Sequence, residues 1–125
     1  MAEGLSTYTL KDDGGIGTVK IADEVVTVIA GLAATEVKGV ASLAGGITND
    51  TVARRGIKAL LKGVRVSVTD GLVAVDVTVC LEYGYSIPEV GTAVQEKVKS
   101  AIENMTGMTV TDVNVRIENI LSPDD

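Results

Sequence analysis

Gly63-Val-Arg-Val-Ser-Val-Thr-Asp-Gly-Leu-Val-Ala-Val-Asp-Val-Thr-Val-Cys-Leu-Glu82 alternates apolar and polar residues on both sides of Asp70-Gly71. An Asp-Gly pair between two alternating runs predicts a β-hairpin with a two-residue turn. Period-two alternation puts Val64, Val66, Val68, Val73, Val75, Val77, Val79 and Leu81 on one face. Arg65, Ser67, Thr69, Asp76, Thr78, Cys80 and Glu82 fall on the other, so one face is expected in the core and one open.

Downstream, Ser86-Ile-Pro-Glu89 has a Ser N-cap, a Pro in the first turn and a Glu placed to close a capping box. Val90, Val94, Val98, Ala101, Ile102 and Met105 then recur at helical spacing, and Gly107 ends the helix. A last strand over 109–120 alternates Val113, Val115 and Ile117 with Asp112, Asn114, Arg116 and Glu118. Upstream, a short strand over 18–21 leads into a helix with Asp23 and Glu24 in its first turn, where the helix dipole favours negative charge. Its apolar face is read as Val25, Val26, Ile29, Ala33 and Val37, with Lys20, Glu24, Thr27, Thr35 and Lys38 opposite and Gly39 as terminator. Val40 to Ala44 reads as a brief strand closed by Gly45-Gly46, and 50–61 as a second helical segment.

One-faced helices and one-faced strands satisfy each other in two layers. The expected architecture is an α+β two-layer sandwich: a three- or four-stranded mixed sheet with helices packed on one face. The strands before and after the long helix are expected to be parallel, joined by a right-handed crossover. The domain organisation expected is a flexible lead-in over residues 1–16, a single domain over 17–121 and an acidic tail over 122–125.

The chain of 125 residues has no Phe and no Trp, so its core must come from Val, Ile, Leu and Ala. A net charge of -6 opposes general nucleic-acid binding, which needs a positive field. Cys80, the one cysteine, excludes an internal disulfide and any multi-cysteine metal site, and suits a reducing compartment. Met1 to Asp13 carries acids and no apolar run, so neither signal peptide nor anchor is expected there, and no stretch approaches the ~20 apolar residues of a membrane span.

With no histidine in the chain, the Ser/His/Asp, Cys/His and His-containing zinc arrangements are excluded. Asp76, Glu82, Asp112 and Glu118 share the open sheet face, but Arg65 and Arg116 lie there too, and opposite charges on neighbouring strands are ordinary sheet stabilisers. Gly14-Gly-Ile-Gly17 matches the bare GxxG of RNA-binding KH domains, but it follows two aspartates and precedes a strand. Cys80 has no neighbouring His or Lys to lower its pKa and reads as a packing residue. No catalytic, cofactor or metal residue is therefore expected. Two stretches stand out as candidate interaction surfaces: the basic cluster Arg54, Arg55, Lys58, Lys62 and Arg65, and the strand-to-helix corner with Tyr83 and Tyr85.

Gly17-Thr-Val-Lys-Ile-Ala-Asp-Glu-Val-Val26, continuing through Ala34-Thr-Glu-Val-Lys-Gly-Val40, resembles the opening block of the alkaline shock protein 23 family of envelope and general stress proteins. Lys62-Gly-Val-Arg-Val66, Tyr83-Gly-Tyr-Ser-Ile-Pro-Glu-Val90, Val94-Gln-Glu-Lys-Val98, Met105-Thr-Gly107 and Val113-Asn-Val-Arg-Ile117 resemble its later blocks in order. Residues 45–61 match least, so the family pattern does not support the basic cluster. The resemblance implies a bacterial cytoplasmic protein without enzymatic activity or cofactor, which self-associates and acts as a scaffold or adaptor near the inner face of the membrane. It also implies two kinds of partner besides a second copy: an integral membrane anchor protein, or an enzyme of fatty-acid or lipid synthesis that the chain would regulate. A KH-like RNA-binding role is the remaining alternative.

Overall fold

The computed structural model describes residues 5–9, 18–48, 54, 56, 59 and 62–122. In chain order the elements are β1 (Leu5–Thr9), β2 (Thr18–Ala22), α1 (Asp23–Thr35), β3 (Val40–Leu43), β4 (Val64–Thr69), β5 (Leu72–Glu82), α2 (Ile87–Thr106) and β6 (Thr109–Leu121).

The hairpin forms as its sequence predicts. Asp70 and Gly71 take φ of 52° and 79°, the left-handed pair that a two-residue turn needs, and Val64, Val66 and Val68 pair with Val77, Val75 and Val73. β5 is the centre of a mixed four-stranded sheet. One of its edges is shared by two antiparallel strands, β4 along Leu72 to Val77 and β3 along Val79 to Leu81. The other edge carries β6, which runs parallel as the β5–α2–β6 connection requires.

The two strands sharing an edge hand over at Thr78. Its N–H donates to the Gly63 carbonyl at 2.8 Å and its carbonyl accepts from the Ala44 N–H at 2.9 Å. Gly63 is needed there: a Cβ would lie 3.0 Å from both the Ala44 nitrogen and the Leu43 Cβ.

Both helices cover the same sheet face. α1 lies over β3, β4 and β5, α2 lies over β6, and the helices pack against each other. The core joins Val26, Ile29, Ala30, Ala33 and Ala34 of α1 and Val90, Val94, Val98 and Ile102 of α2 to the inner valines of the sheet. Ser86 caps α2 by accepting from the Glu89 N–H at 3.4 Å, and Gly107 closes it in a left-handed conformation at φ 77°.

Three expectations are corrected. Leu5–Thr9, placed in the flexible lead-in by the sequence, is a strand paired antiparallel with β2, Leu5 opposite Ala22 and Thr9 opposite Thr18. Thr-Tyr-Thr favours strand, but with so few apolar residues nearby the stretch shows no core-facing pattern. The buried stripe of α1 is also rotated from the one predicted. Val25 is 48% exposed, whereas Thr27 is buried, its hydroxyl donating to the Asp23 carbonyl at 3.0 Å. A helix interior tolerates a buried Thr when its hydroxyl finds a carbonyl one turn back. Finally α1 stops at Thr35, and Gly39 serves the turn into β3 at φ 100° in place of capping the helix. The helical segment expected over 50–61 lies mainly outside the described residues, as do Gly14 to Gly17 and the acidic end of the tail.

Candidate functional site

The side of the sheet away from the helices carries a groove of about 720 Å³ where β4, β5 and β6 run side by side. Strand register decides what lines it. Arg65, Asp76 and Asn114 form one row across the three strands, and Thr78 and Arg116 form the next. Lys62, just before β4, and Gly63 complete the rim where Thr78 binds the Gly63 carbonyl.

The sequence expects the acids of this face to be offset by Arg65 and Arg116. They share the face, but the pairing is different. The Asp76 Oδ1 accepts from the Asn114 amide at 2.9 Å. The Glu118 Oε1 accepts from the Cys80 thiol at 3.6 Å. Among the described residues, the side chains of Lys62, Arg65 and Arg116 make no hydrogen bond and no ion pair, and all three are exposed.

Cys80 sits between Ser42 of β3 and β6 and is buried. Burial pushes its thiol up, the Ser42 hydrogen bond opposes this, and the hydrogen bond and charge of Glu118 add to the rise. A raised pKa means less thiolate at any given pH. Alkylation by iodoacetamide at pH 8 is therefore expected to run at least about tenfold slower in the folded protein than in urea, measured by mass spectrometry.

The basic cluster expected over 54–65 is only partly placed. Arg54 is exposed, Arg55 and Lys58 lie outside the described residues, and Lys62 and Arg65 are in the groove. Arg116 was not grouped with them by sequence, since it is far along the chain and only the parallel β5–β6 register brings it near.

The two tyrosines of the corner divide. Tyr83 is 70% exposed, and its N–H continues the sheet by donating to the Leu121 carbonyl at 2.9 Å. Tyr85 is less exposed, at 37%, and lies against Gly39, where an added Cβ would stand 3.0 Å from its ring. Tyr83 has exposed apolar company that the sequence did not single out: Ile87 at the start of α2, and Ile120 and Leu121 at the end of β6. These residues lie beside the outer edge of β6, which has no strand partner among the described residues. That edge is partly occupied by side chains, the Gln95 amide donating to the Val113 carbonyl at 3.0 Å and the Val110 N–H to Glu103 at 3.0 Å.

No cluster of three or more His, Cys, Asp or Glu suited to a metal occurs among the described residues, and no helix is long and apolar enough to cross a membrane. A sequence model of the Asp23 family, described as having a cell envelope-related function, matches residues 11–122. The chain belongs to this family. The family name abbreviates alkaline shock protein 23, the resemblance carried by the sequence blocks above, and does not refer to residue 23. The uncharacterized protein YqhY of Bacillus subtilis is 39% identical over 109 residues, 87% of this chain and 81% of that protein. A stress response regulator gls24 homolog of Streptococcus pyogenes is 29% identical over 105 residues, 83% of this chain and 59% of that protein. Among solved structures, a chain described as MamM CTD aligns over 78% of this chain and 95% of that one at TM-score 0.49 and 14% identity, too distant to bear on function.

Proposed function

We propose that this Asp23-family chain is a non-enzymatic scaffold or adaptor in the envelope stress response, working on the cytoplasmic side and associating with copies of itself. The observation that carries the reading is the set of exposed apolar residues near one end of the sheet, Tyr83, Ile87, Ile120 and Leu121, the last two on opposite faces of β6, beside an outer β6 edge with no strand partner among the described residues. A long strand edge offers main-chain hydrogen bonds to a second strand, and an adjoining apolar patch adds burial. The envelope and stress assignment is supported by the family description and by the name of the gls24 relative. The non-enzymatic part is supported by the chemistry of the candidate groups: a chain without histidine, a buried thiol kept protonated, and an Asp76 engaged by Asn114.

Light scattering across a concentration series tests the reading. The wild-type chain is expected to be oligomeric, and the pair Tyr83→Asp with Ile120→Asp to weaken association at least about tenfold, since removing two exposed apolar contacts from a dimer is worth ~1–3 kcal/mol. The two sites are exposed, so circular dichroism and Tm should change little. A wild-type chain that stays monomeric at every concentration would sink the proposal.

A further inference from the structure

We propose that the groove on the open sheet face binds a phosphate-bearing ligand, with the Arg65 and Arg116 guanidiniums and the Lys62 ammonium as its anion contacts and Thr78 beneath them. Charge provides the first argument. The chain as a whole carries -6, yet this groove gathers three cations against the single carboxylate of Asp76. A local excess of positive charge on an acidic protein attracts anions against the average field.

Pairing is the second argument. Surface cations on a sheet ordinarily meet acids on the next strand. Arg65 has Asp76 directly opposite, but the Asp76 Oδ1 is bonded to Asn114, and neither arginine has a side-chain partner among the described residues. The Asp76–Asn114 bond ties β5 to β6 across the groove and leaves the guanidinium donors available.

Geometry is the third. Arg65 on β4 and Arg116 on β6 flank β5, and two strand spacings with a two-residue offset along the strands separate their backbones by roughly 12 Å. Arginine side chains from both sides can converge over Thr78 on a group the width of a phosphoryl. Guanidinium forks match phosphate oxygens in pairs, which a point-charge ammonium does not. At the Lys62 end, Gly63 contributes only backbone to the rim beside Thr78. The volume, about 720 Å³, lies within the roughly 300–1,000 Å³ usual for small-molecule sites, but the lining is polar, which selects a charged ligand over an apolar one.

The phosphoryl group could belong to a soluble molecule or to a lipid headgroup, and both can be tested on the full chain. Inorganic phosphate titrated into isotopically labelled protein is expected to give saturable amide shifts at Gly63, Arg65, Thr78 and Arg116. Arg65→Gln and Arg116→Gln should each weaken binding at least fivefold. Asp76→Asn should tighten it at least twofold by removing the one negative charge, a gain that a merely structural role for Asp76 would not produce. Lys97→Gln, in the helix layer on the opposite face of the sheet, where Lys97 pairs with Glu36 at 3.6 Å, should leave it unchanged. Co-sedimentation with phosphatidylglycerol vesicles, competed by inorganic phosphate and lost in Arg116→Gln, would assign the group to lipid. Saturable phosphate binding without vesicle binding would assign it to a soluble ligand. Absence of both, or binding indifferent to the arginine substitutions, would overturn the proposal. Because the groove lies apart from the Tyr83 corner, failure here leaves the oligomer experiment unaffected.

Discussion

Replacing Gly39 by alanine is expected to destabilise the fold by about 2–6 kcal/mol, a large part of the 5–15 kcal/mol that typical domains possess. Two separate penalties add. At φ 100° an L side chain is strained, by ~1–3 kcal/mol. The new Cβ would also stand 2.8 Å from the Val90 Cγ2 and 3.0 Å from the Tyr85 ring, and overpacking of this kind costs ~1–3 kcal/mol. Val90 is buried and β-branched on the first turns of α2, so it has no free rotamer to move into. Gly39 also accepts from the Glu82 N–H at 2.8 Å, and displacing it would pull on the end of β5 next to Tyr83. Gly46 provides the control. Its φ is 77° but its added Cβ meets nothing within 4 Å, so Gly46→Ala should lose only the strain, ~1–2 kcal/mol. Urea denaturation of both variants checks the contrast. Equal losses would mean that Tyr85 and Val90 do not close on Gly39 as described.

The features legible in the sequence are those set by local pattern. The β4–β5 hairpin is written in alternation and an Asp-Gly turn, and the α2 cap in Ser86 and Glu89, because neighbouring residues alone decide them. The sandwich with helices on one face follows from one-sided elements. What could not be read depends on contacts distant in sequence. The rotation of α1 came from Ala30 and Ala34, small residues whose burial against the sheet outweighs the hydrophobicity of Val25. β1 has no apolar face, so only its pairing with β2 makes it a strand. At the groove, Lys62 and Arg65 were visible as a charge concentration, but Arg116 needed the parallel register. At the corner, Tyr83 was visible as an odd aromatic, whereas Ile120 and Leu121 looked like the ordinary end of an alternating strand.

The same distinction between helical spacing and actual burial gives the second large effect. Ile102→Ala is expected to lose ~3–5 kcal/mol, the upper part of the range for removing a buried Ile or Leu side chain. Ile102 is fully buried and continues the stripe of Val90, Val94 and Val98 at four-residue steps. The cost of such a truncation depends on how far the surroundings collapse into the space left behind. Here the collapse should be small, because the core is built mainly from valine, stiff at χ1, with no Phe or Trp to swing inward. Met108 is the one long flexible side chain among the fully buried residues and the natural candidate to relax. Ile102→Val should therefore lose only ~0.5–1.5 kcal/mol, and Ile102→Ala combined with Met108→Leu should lose more than the two single changes added. Met105 supplies the sharpest contrast. The apolar periodicity places it in the same stripe, yet it is 71% exposed. Met105→Ala is expected to change stability by less than ~0.5 kcal/mol, as surface substitutions do. A loss at Met105 comparable with that at Ile102 would show that α2 is rotated from the orientation described.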